Sequence, residues 1–336
     1  SVNDPLRMAT NFAGVVSADD GNNNIVIRGN SPSGLLWRME GVDIPNPNHF
    51  SNAGGSGGGI SILSSQLLAN SDFLTGAFAA EYGNALSGVF DLKLRKGNNE
   101  KKEFALQAGV LGLNVSAEGP FSKKYKGSYL INYRYSTLNI LNELGVIPNG
   151  SPTNFQDLSY HIYLPTKKAG TFTLFGFSGW NSQANKFLED TTKWVNESDR
   201  FRFTYSGNTH VNAITHTIRI AAGTTLKSAL SYSRTTSGYE ADYARTKTIT
   251  ELWYKEQFST SKWVANTMMN HKFSAKSNLR AGVIVNRVEY NFFLRSREER
   301  NDPLQVRINN SGNTYTVQDY AQWQYKPTNQ LTINGG

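Results

Sequence analysis

The chain has 336 residues, which is long enough for two domains or for one large β architecture. It contains no cysteine, and this excludes disulfides, thiolate metal sites and cysteine nucleophiles. Its net charge of +8 could suit a nucleic-acid partner, but the basic residues are scattered, which indicates solvated turns and no nucleic-acid interface.

The hydropathy profile leaves a membrane location open. The mean hydropathy is −0.46, and no apolar run approaches the ~18 to 20 residues of a membrane helix. A transmembrane β-barrel exposes only every second residue to lipid, so averaged hydropathy does not reveal it. Aromatic residues make up 12% of the chain and 30 residues are glycine, a mixture typical of strands, tight turns and interfacial aromatic girdles.

The N-terminal stretch predicts two short strands that form a hairpin. The run 25–27 is β-branched and stops at the turn residues 28–34. Residues 35–44 alternate in polarity and change phase at Gly41, which predicts a second strand with a kink. The preceding segment 5–20 carries little pattern and is predicted to be weakly structured.

The next stretch combines a loop, a helix and a strand. The glycine-rich run 54–59 is predicted to be a mobile loop, because it lacks the Lys-Ser or Lys-Thr of a phosphate-binding loop. Apolar residues between 60 and 68 have helical spacing and predict one short helix. Small residues between 76 and 88 permit close backbone approach, and residues 90–94 then alternate as a strand.

Two of these stretches resemble the plug domain of TonB-dependent outer-membrane transporters. One contains Ile-Arg-Gly at 27–29 and Glu-Gly-Val-Asp-Ile-Pro at 40–45. The other contains Glu-Tyr-Gly at 81–83, with Ser-Gly at 87–88 where the family commonly has Gly-Gly. The sequence Pro-Asn-Pro-Asn-His-Phe at 45–50 resembles family members from the Bacteroidetes lineage more than other members.

The rest of the chain predicts a series of antiparallel strands. Alternating segments begin at Phe104, with a tight hairpin at 110–112, and about ten strands precede an eleventh that starts near Leu331. Short connections alternate with long polar ones, a pattern typical of outer-membrane barrels. The predicted long connections lie around 139–154, 181–208, 237–256 and 295–313.

The resemblance therefore implies a mainly β chain with two parts. The first is a small α+β plug domain at 1–98, N-terminally incomplete, and the second is the first half of a transmembrane β-barrel at 99–336. Members of the family close with twenty-two strands, so about ten strands would be half of the barrel. Ser1 reads as an internal start, and we expect the signal peptide, the N-terminal TonB box and the second half of the barrel to be missing.

The remaining residues do not predict an enzyme. His210 and His216 are the only histidines close in sequence, and on a strand they would lie ~20 Å apart, which is too far for one metal ion. Paired carboxylates fall in predicted turns and loops, and no nucleophile elbow or catalytic triad stands out. We predict no catalytic residue, no metal site and no cofactor.

The resemblance also implies site residues. The plug apex and one long loop are expected to contact the ligand, through Asn48, His49, Phe50 and Trp180. Charge-assisted hydrogen bonds are expected to hold the plug inside the barrel, through Arg28, Glu40 and Glu81.

The implied function is import across the cell outer membrane, with the plug gating the barrel. The ligand would be a siderophore, a cobalamin-like molecule or a carbohydrate. Expected partners are the inner-membrane TonB-ExbB-ExbD complex, the small-molecule or glycan ligand, lipid and lipopolysaccharide, with a surface lipoprotein as a further candidate. Two alternatives stay open, a β-rich cell-surface binding or adhesion protein without transport and a soluble carbohydrate-active enzyme.

Overall fold

The computed structural model describes residues 5–19, 23–51, 55, 57–109, 111–145, 153–185, 187, 190–246 and 248–336. Within these ranges the chain is mainly β, with nineteen strands and two short α-helices. The described helices are all too short or too polar to span a membrane.

Residues 5–98 form an N-terminal body of short elements. The elements are α1 (Pro5–Ala9), β1 (Val15–Asp19), β2 (Asn24–Ile27), β3 (Leu35–Met39), β4 (Val42–Ile44), β5 (Asn48–His49), β6 (Ile60–Ser61), β7 (Asp72–Leu74) and β8 (Gly88–Leu92). The largest sheet has the strand order β4-β3-β8-β7, in which β3 and β8 run parallel and the other pairs are antiparallel. The pairs β1-β2 and β5-β6 form two further small sheets.

The predicted strands at the N-terminus are present, but the predicted hairpin is wrong. Strand β2 pairs with β1, in a segment that carried little sequence pattern, and β3 pairs with β4 and β8. Arg28 and Gly29 have φ of +50° and +79°, so the chain turns sharply after β2. The predicted kink at Gly41 is a tight turn between β3 and β4, since Glu40 and Gly41 have φ of +51° and +85°.

The short helix predicted within 60–68 is also wrong. Residues 60 and 61 form β6, and turns follow. The serines explain the difference, because the Ser61 hydroxyl accepts a hydrogen bond from the Leu63 N–H (3.2 Å) and the Ser64 hydroxyl accepts one from the Gln66 N–H (3.3 Å). Of the predicted glycine-rich loop, Gly54 and Ser56 lie outside the described residues.

The described residues between 103 and 335 form one antiparallel sheet of eleven strands, joined in chain order. Its strands are β9 (Glu103–Gly109), β10 (Gly112–Ser122), β11 (Tyr125–Tyr135), β12 (Thr153–Pro165), β13 (Thr171–Ala184), β14 (Phe201–Ala221), β15 (Thr224–Ala244), β16 (Thr250–Ser274), β17 (Ser277–Ser296), β18 (Gln305–Tyr325) and β19 (Ile333–Gly335); the helix α2 (Leu138–Glu143) follows β11. Strands β9 and β19 are its two edges.

The strands run further than the sequence pattern predicts. The connection predicted at 237–256 shrinks to 245–249, and the one predicted at 295–313 shrinks to 297–304. Some alternation persists in these strand ends, as at Tyr239, Ala241 and Tyr243 and at Val306 and Ile308, but the polar residues around them also suit loops. The backbone ladder continues regardless, because its hydrogen bonds do not depend on side-chain polarity.

The two faces of the large sheet differ in their surroundings. The inner face packs against the N-terminal body, and its buried Phe175, Phe177, Val211 and Ala213 belong to the apolar core of that body. The outer face exposes large apolar side chains, which pair across neighbouring strands as Leu106 with Val115 and Ile214 with Leu230. The N-terminal body thus shares one core with the sheet, and the opposite face of the sheet is apolar and exposed.

Candidate functional site: the contacts between the N-terminal body and the sheet

The first group of contacts surrounds Asp157 and is named the Asp157 anchor: His49, Arg134, Asp157 and Asn181. Arg134 on β11 lies opposite Asp157 on β12, and Asp157 lies opposite Gly179 on β13. Because Gly179 has no side chain, residues 49 and 62 of the N-terminal body approach the sheet backbone there.

Hydrogen bonds join this anchor to the loop that follows β4. The His49 ring nitrogen Nε2 contacts Asp157 Oδ1, and Asn181 Nδ2 lies 3.2 Å from His49 Nδ1. The two contacts use both ring nitrogens of His49, with Nε2 facing the Asp157 carboxylate and Nδ1 facing the Asn181 amide. Arg134 Nε donates to the other carboxylate oxygen at 2.5 Å, and its Nη2 donates to the Ser61 carbonyl at 2.5 Å.

The anchor is closed to solvent and electrically balanced. The side chains of His49 and Asp157 are 0% and 2% exposed. The Arg134 guanidinium neutralises the carboxylate and packs 5.0 Å from the centre of the Phe155 ring. A buried carboxylate is tolerated only with such a charge partner and hydrogen bonds, so each member of the anchor depends on the others.

A second group, the Glu81 anchor, consists of Arg38, Asp43, Glu81 and Arg280. Arg38 on β3 lies opposite Asp43 on β4, and its Nε donates to Asp43 Oδ1 at 2.8 Å. The same guanidinium donates to the Glu81 carbonyl at 2.8 Å and to Glu81 Oε2 at 3.3 Å. Arg280 of β17 contacts the remaining oxygen, Oε1. Glu81 therefore bridges an arginine of the N-terminal body and an arginine of the sheet.

Burial shapes the titration of this second group. Burial lowers the pKa of Arg38, but the neighbouring carboxylates of Asp43 and Glu81 outweigh it and the net pKa is raised. Burial and the Asp91 carboxylate, which accepts the Tyr82 hydroxyl at 2.8 Å, raise the pKa of Tyr82. Arg38 stays charged and Tyr82 stays protonated at neutral pH.

Two smaller contacts hold the end of the N-terminal body. Arg95 forms a bidentate pair with Glu118 of β10, at 2.8 and 2.9 Å. Glu40 Oε1 accepts the Leu94 N–H at 2.8 Å, and Glu40 Oε2 lies 3.6 Å from Lys227 Nζ on β15.

Two of the three residues predicted to hold the N-terminal body contact the sheet. Glu40 and Glu81 contact the sheet, whereas Arg28 does not form its predicted contact with the sheet. Arg28 is exposed in the turn after β2, and within the described ranges its guanidinium makes no ion pair. The buried arginine of the N-terminal body is Arg38, which the sequence placed on the same face as Glu40 without a role.

The four residues predicted to contact the ligand lie in two different places. Asn48 and His49 are buried, and their side chains bind Asn46 and Asp157 respectively. The Phe50 ring is partly buried, with its centre 6.2 Å from that of Tyr205, whose hydroxyl donates to the Ser51 carbonyl at 2.7 Å. Trp180 lies on the outer face beside His210, so the structure does not bring it to residues 48–50.

The sequence did not single out the residues that complete the anchors: Arg134, Asp157, Asn181 and Arg280. Arg134 and Asp157 occupy inward positions of adjacent strands. Opposite charges at inward positions on neighbouring strands were a usable signal, but the pairing register was needed to place them together.

A cavity lies between the N-terminal body and the inner face of the sheet, and it is named the chamber. It has a volume of about 510 Å³. The N-terminal body lines it with β3, β4 and parts of the 45–55 loop, and the sheet lines it with residues from β13 to β17. Its volume is within the range of small-molecule sites.

Comparison with known proteins rests on structure. No protein-family model matches the sequence, and no curated protein matches it significantly. Many solved structures match its fold.

Three matched structures illustrate the likeness. FpvA of P. aeruginosa, solved with an iron-loaded pyoverdine, has a TM-score of 0.68 at 13% identity, over 99% of this chain and 48% of that one. A mutant of PfeA, the ferric enterobactin receptor of P. aeruginosa, solved with enterobactin, has a TM-score of 0.58 at 14% identity, over 99% and 55%. The copper transporter OprC has a TM-score of 0.60 at 9% identity, over 97% and 60%.

The chain therefore has the fold of the TonB-dependent outer-membrane receptors, and the predicted resemblance is confirmed at the level of the fold. It spans about half the length of the structures that it matches. The predicted Bacteroidetes lineage stays a prediction.

Proposed function

We propose that the chain forms the plug, residues 1–98, and the first part of the barrel wall, residues 99–336, of a receptor that imports a ligand across the outer membrane. The observation that supports this most strongly is the seating of the N-terminal body. It packs on the inner face of a sheet whose outer face is apolar, and the buried His49–Asp157 contact and the partly exposed Glu81–Arg280 ion pair hold it there. A plug inside a lipid-embedded wall requires this arrangement.

The nature of the contacts fits a gate that opens. Apart from the shared apolar core, the anchors consist of hydrogen bonds and ion pairs between the two parts. Water can replace such bonds when the plug moves, whereas a wholly apolar interface would resist hydration. Energised import would use the inner-membrane TonB-ExbB-ExbD complex to pull on the plug.

Conductance tests the gate directly. The native protein is purified from outer membranes and inserted into planar lipid bilayers, and we expect it to conduct little. A variant that carries Asp157→Ala and Glu81→Ala together should conduct ions through the unblocked wall, because both anchors lose their shared carboxylate.

A reducible crosslink supplies the matched control. Asn84 and Gln318 exchange two hydrogen bonds between the plug and the wall, at 3.0 and 3.3 Å, and the chain contains no cysteine of its own. Cysteines at both positions, joined by a short crosslinker that contains a disulfide, should block the conductance of the double-alanine variant until a reductant is added, whereas either cysteine alone should not. A double-alanine variant that never conducts would count against gating and favour a surface binding protein without transport.

A further inference from the structure

The connections of the large sheet lie at its two opposite ends. Because its strands are antiparallel and joined in chain order, the connections after β10, β12, β14, β16 and β18 all lie at one end. We name this end the turn rim, and in outer-membrane barrels the end with the short turns faces the periplasm. With three residues of each flanking strand, the turn rim comprises residues 120–127, 163–173, 219–226, 272–279 and 323–335.

The turn rim is uniformly basic. Its sequence contains no aspartate or glutamate, and its nine basic residues are Lys123, Lys124, Lys126, Lys167, Lys168, Arg219, Lys272, Lys276 and Lys326. The opposite end, named the loop rim, holds eleven basic and ten acidic residues when it is counted in the same way, over 107–114, 133–155, 182–203, 242–252 and 294–307. The net charge of +8 is therefore concentrated at the turn rim, although the basic residues are scattered along the sequence.

Acidic side chains of the protein do not neutralise the turn rim. Its nine basic residues are all exposed, and within the described part of the chain none of them forms an ion pair. Lys276 Nζ donates to the Pro327 carbonyl at 3.2 Å, which is an uncharged acceptor. On the loop rim, by contrast, basic and acidic side chains pair with each other, as Arg202 does with Asp242. The positive charge of the turn rim is therefore available to a partner outside the chain.

Aromatic side chains place the turn rim at the depth of lipid headgroups. Phe121, Phe273, Trp323 and Tyr325 lie beside its turns and are between 40% and 60% exposed. Aromatic residues of this kind mark the two surfaces of a membrane. Tyr315 lies ten residues before Tyr325 on the same face of β18, and ~33 Å of tilted strand is enough to cross an apolar band of ~25 Å. The basic residues of the turn rim therefore lie just outside the apolar band.

We infer that the turn rim binds the negatively charged headgroups of phospholipids in the periplasmic leaflet of the outer membrane. Lysine and arginine next to an anionic membrane surface are attracted to it, and their N–H groups donate to phosphate oxygens. The basic residues follow the whole rim from β10 to β18 beside an aromatic belt, which fits a membrane leaflet better than one compact acidic protein. This inference rests on the proposed placement of the sheet as a wall in the outer membrane.

Lipid retention tests this inference. Protein purified from outer membranes is placed in nanodiscs that contain equal amounts of phosphatidylglycerol and phosphatidylcholine and is then extracted with a mild detergent. Mass spectrometry counts the lipids that stay bound to the protein. We expect phosphatidylglycerol to be enriched about threefold at 50 mM NaCl and less than about 1.5-fold at 500 mM NaCl, because salt screens exposed charges.

Two fourfold variants tie the lipid preference to the turn rim. The turn-rim variant should lose at least about half of the enrichment, because it removes four of the nine charges; it carries Lys123→Gln, Lys124→Gln, Lys167→Gln and Lys168→Gln. The loop-rim control removes the same charge from the opposite end and should keep the native enrichment; it carries Lys193→Gln, Arg200→Gln, Arg202→Gln and Arg307→Gln. All eight residues are outside both anchors, so both variants should keep the seat of the N-terminal body.

Three results would overturn the inference: equal retention of the two lipids by the native protein, native enrichment in the turn-rim variant, or an equal loss in the loop-rim control. Salt-sensitive binding of poly-glutamate without a lipid preference would also overturn it and assign the turn rim to an acidic protein. All of these leave the proposed gate intact, since the conductance test needs no charged lipid. Conversely, a lipid preference that depends on the turn-rim lysines, in a protein whose double-alanine variant never conducts, would retain the membrane contact and reject gating.

Discussion

The two main anchors hold the N-terminal body to the sheet in different ways. The Asp157 anchor is sealed, with His49 and Asp157 almost fully buried, and it ties the loop after β4 to three adjacent strands. The Glu81 anchor is open on one side, because the side chain of Arg280 is 41% exposed. A sealed carboxylate depends on all its partners, whereas water can replace a partner at the open anchor.

The difference indicates an order of release. Water can reach Arg280 and weaken its bond to Glu81 before the body moves. The Asp157 anchor can exchange its bonds for water only when the loop leaves the sheet. We therefore expect the Glu81 anchor to open first. The Asp157 anchor then determines how strongly the N-terminal body is held to the sheet.

The largest effect is expected for Asp157→Ala, which disrupts the sealed anchor. It leaves His49 and Arg134 without their shared partner, and losing one member of a buried pair costs about 3–5 kcal/mol. Hydrogen exchange measured by mass spectrometry should show faster exchange throughout residues 45–51. Asp157→Asn retains an acceptor and should have a smaller effect; equal, unchanged exchange in both variants would refute the sealed anchor.

The open anchor should respond unequally at its two ends. Glu81→Ala removes the carboxylate acceptor from the buried Arg38 but keeps the backbone carbonyl that Arg38 also contacts, and it should cost about 2 kcal/mol, by the usual value of hydrogen bonds to charged groups. Arg280→Ala removes a half-exposed partner and should cost about 1 kcal/mol or less. Thermal unfolding in detergent compares the two, and an equal loss would mean that Arg280 is not replaceable by water.

Glu40→Ala should have a local effect. It removes the acceptor of the Leu94 N–H, which is worth about 1 kcal/mol, and exchange of the Leu94 amide should accelerate. Lys227→Met is the control, because it removes only the 3.6 Å charge pair and keeps that acceptor. If both variants accelerated exchange equally, the ion pair rather than the backbone bond would hold this turn.

The smallest effect is expected for Arg28→Ala. The side chain is exposed and outside both anchors, so stability should change by less than about 0.5 kcal/mol and bilayer conductance should stay at the native level. A conducting Arg28→Ala variant would show that the exposed turn carries a contact to the wall after all.

The sequence by itself predicted most strands of the large sheet and the general architecture. Alternation with a period of two located those strands, and the resemblance of two separated motifs to a known family indicated a compact body before a large sheet. It could not find the strand ends, where the many polar residues also suit loops, or the turns at residues 61–66, where serine hydroxyls bind the backbone.

Only the tertiary structure decided which charges meet. Arg134 and Asp157 are 23 positions apart, and Glu81 and Arg280 are 199 positions apart. Their contacts depend on strand register and on how the N-terminal body sits against the sheet, and neither is encoded in a local pattern. The same reason explains why Arg28, prominent in its motif, is exposed, while Arg38 is buried and paired.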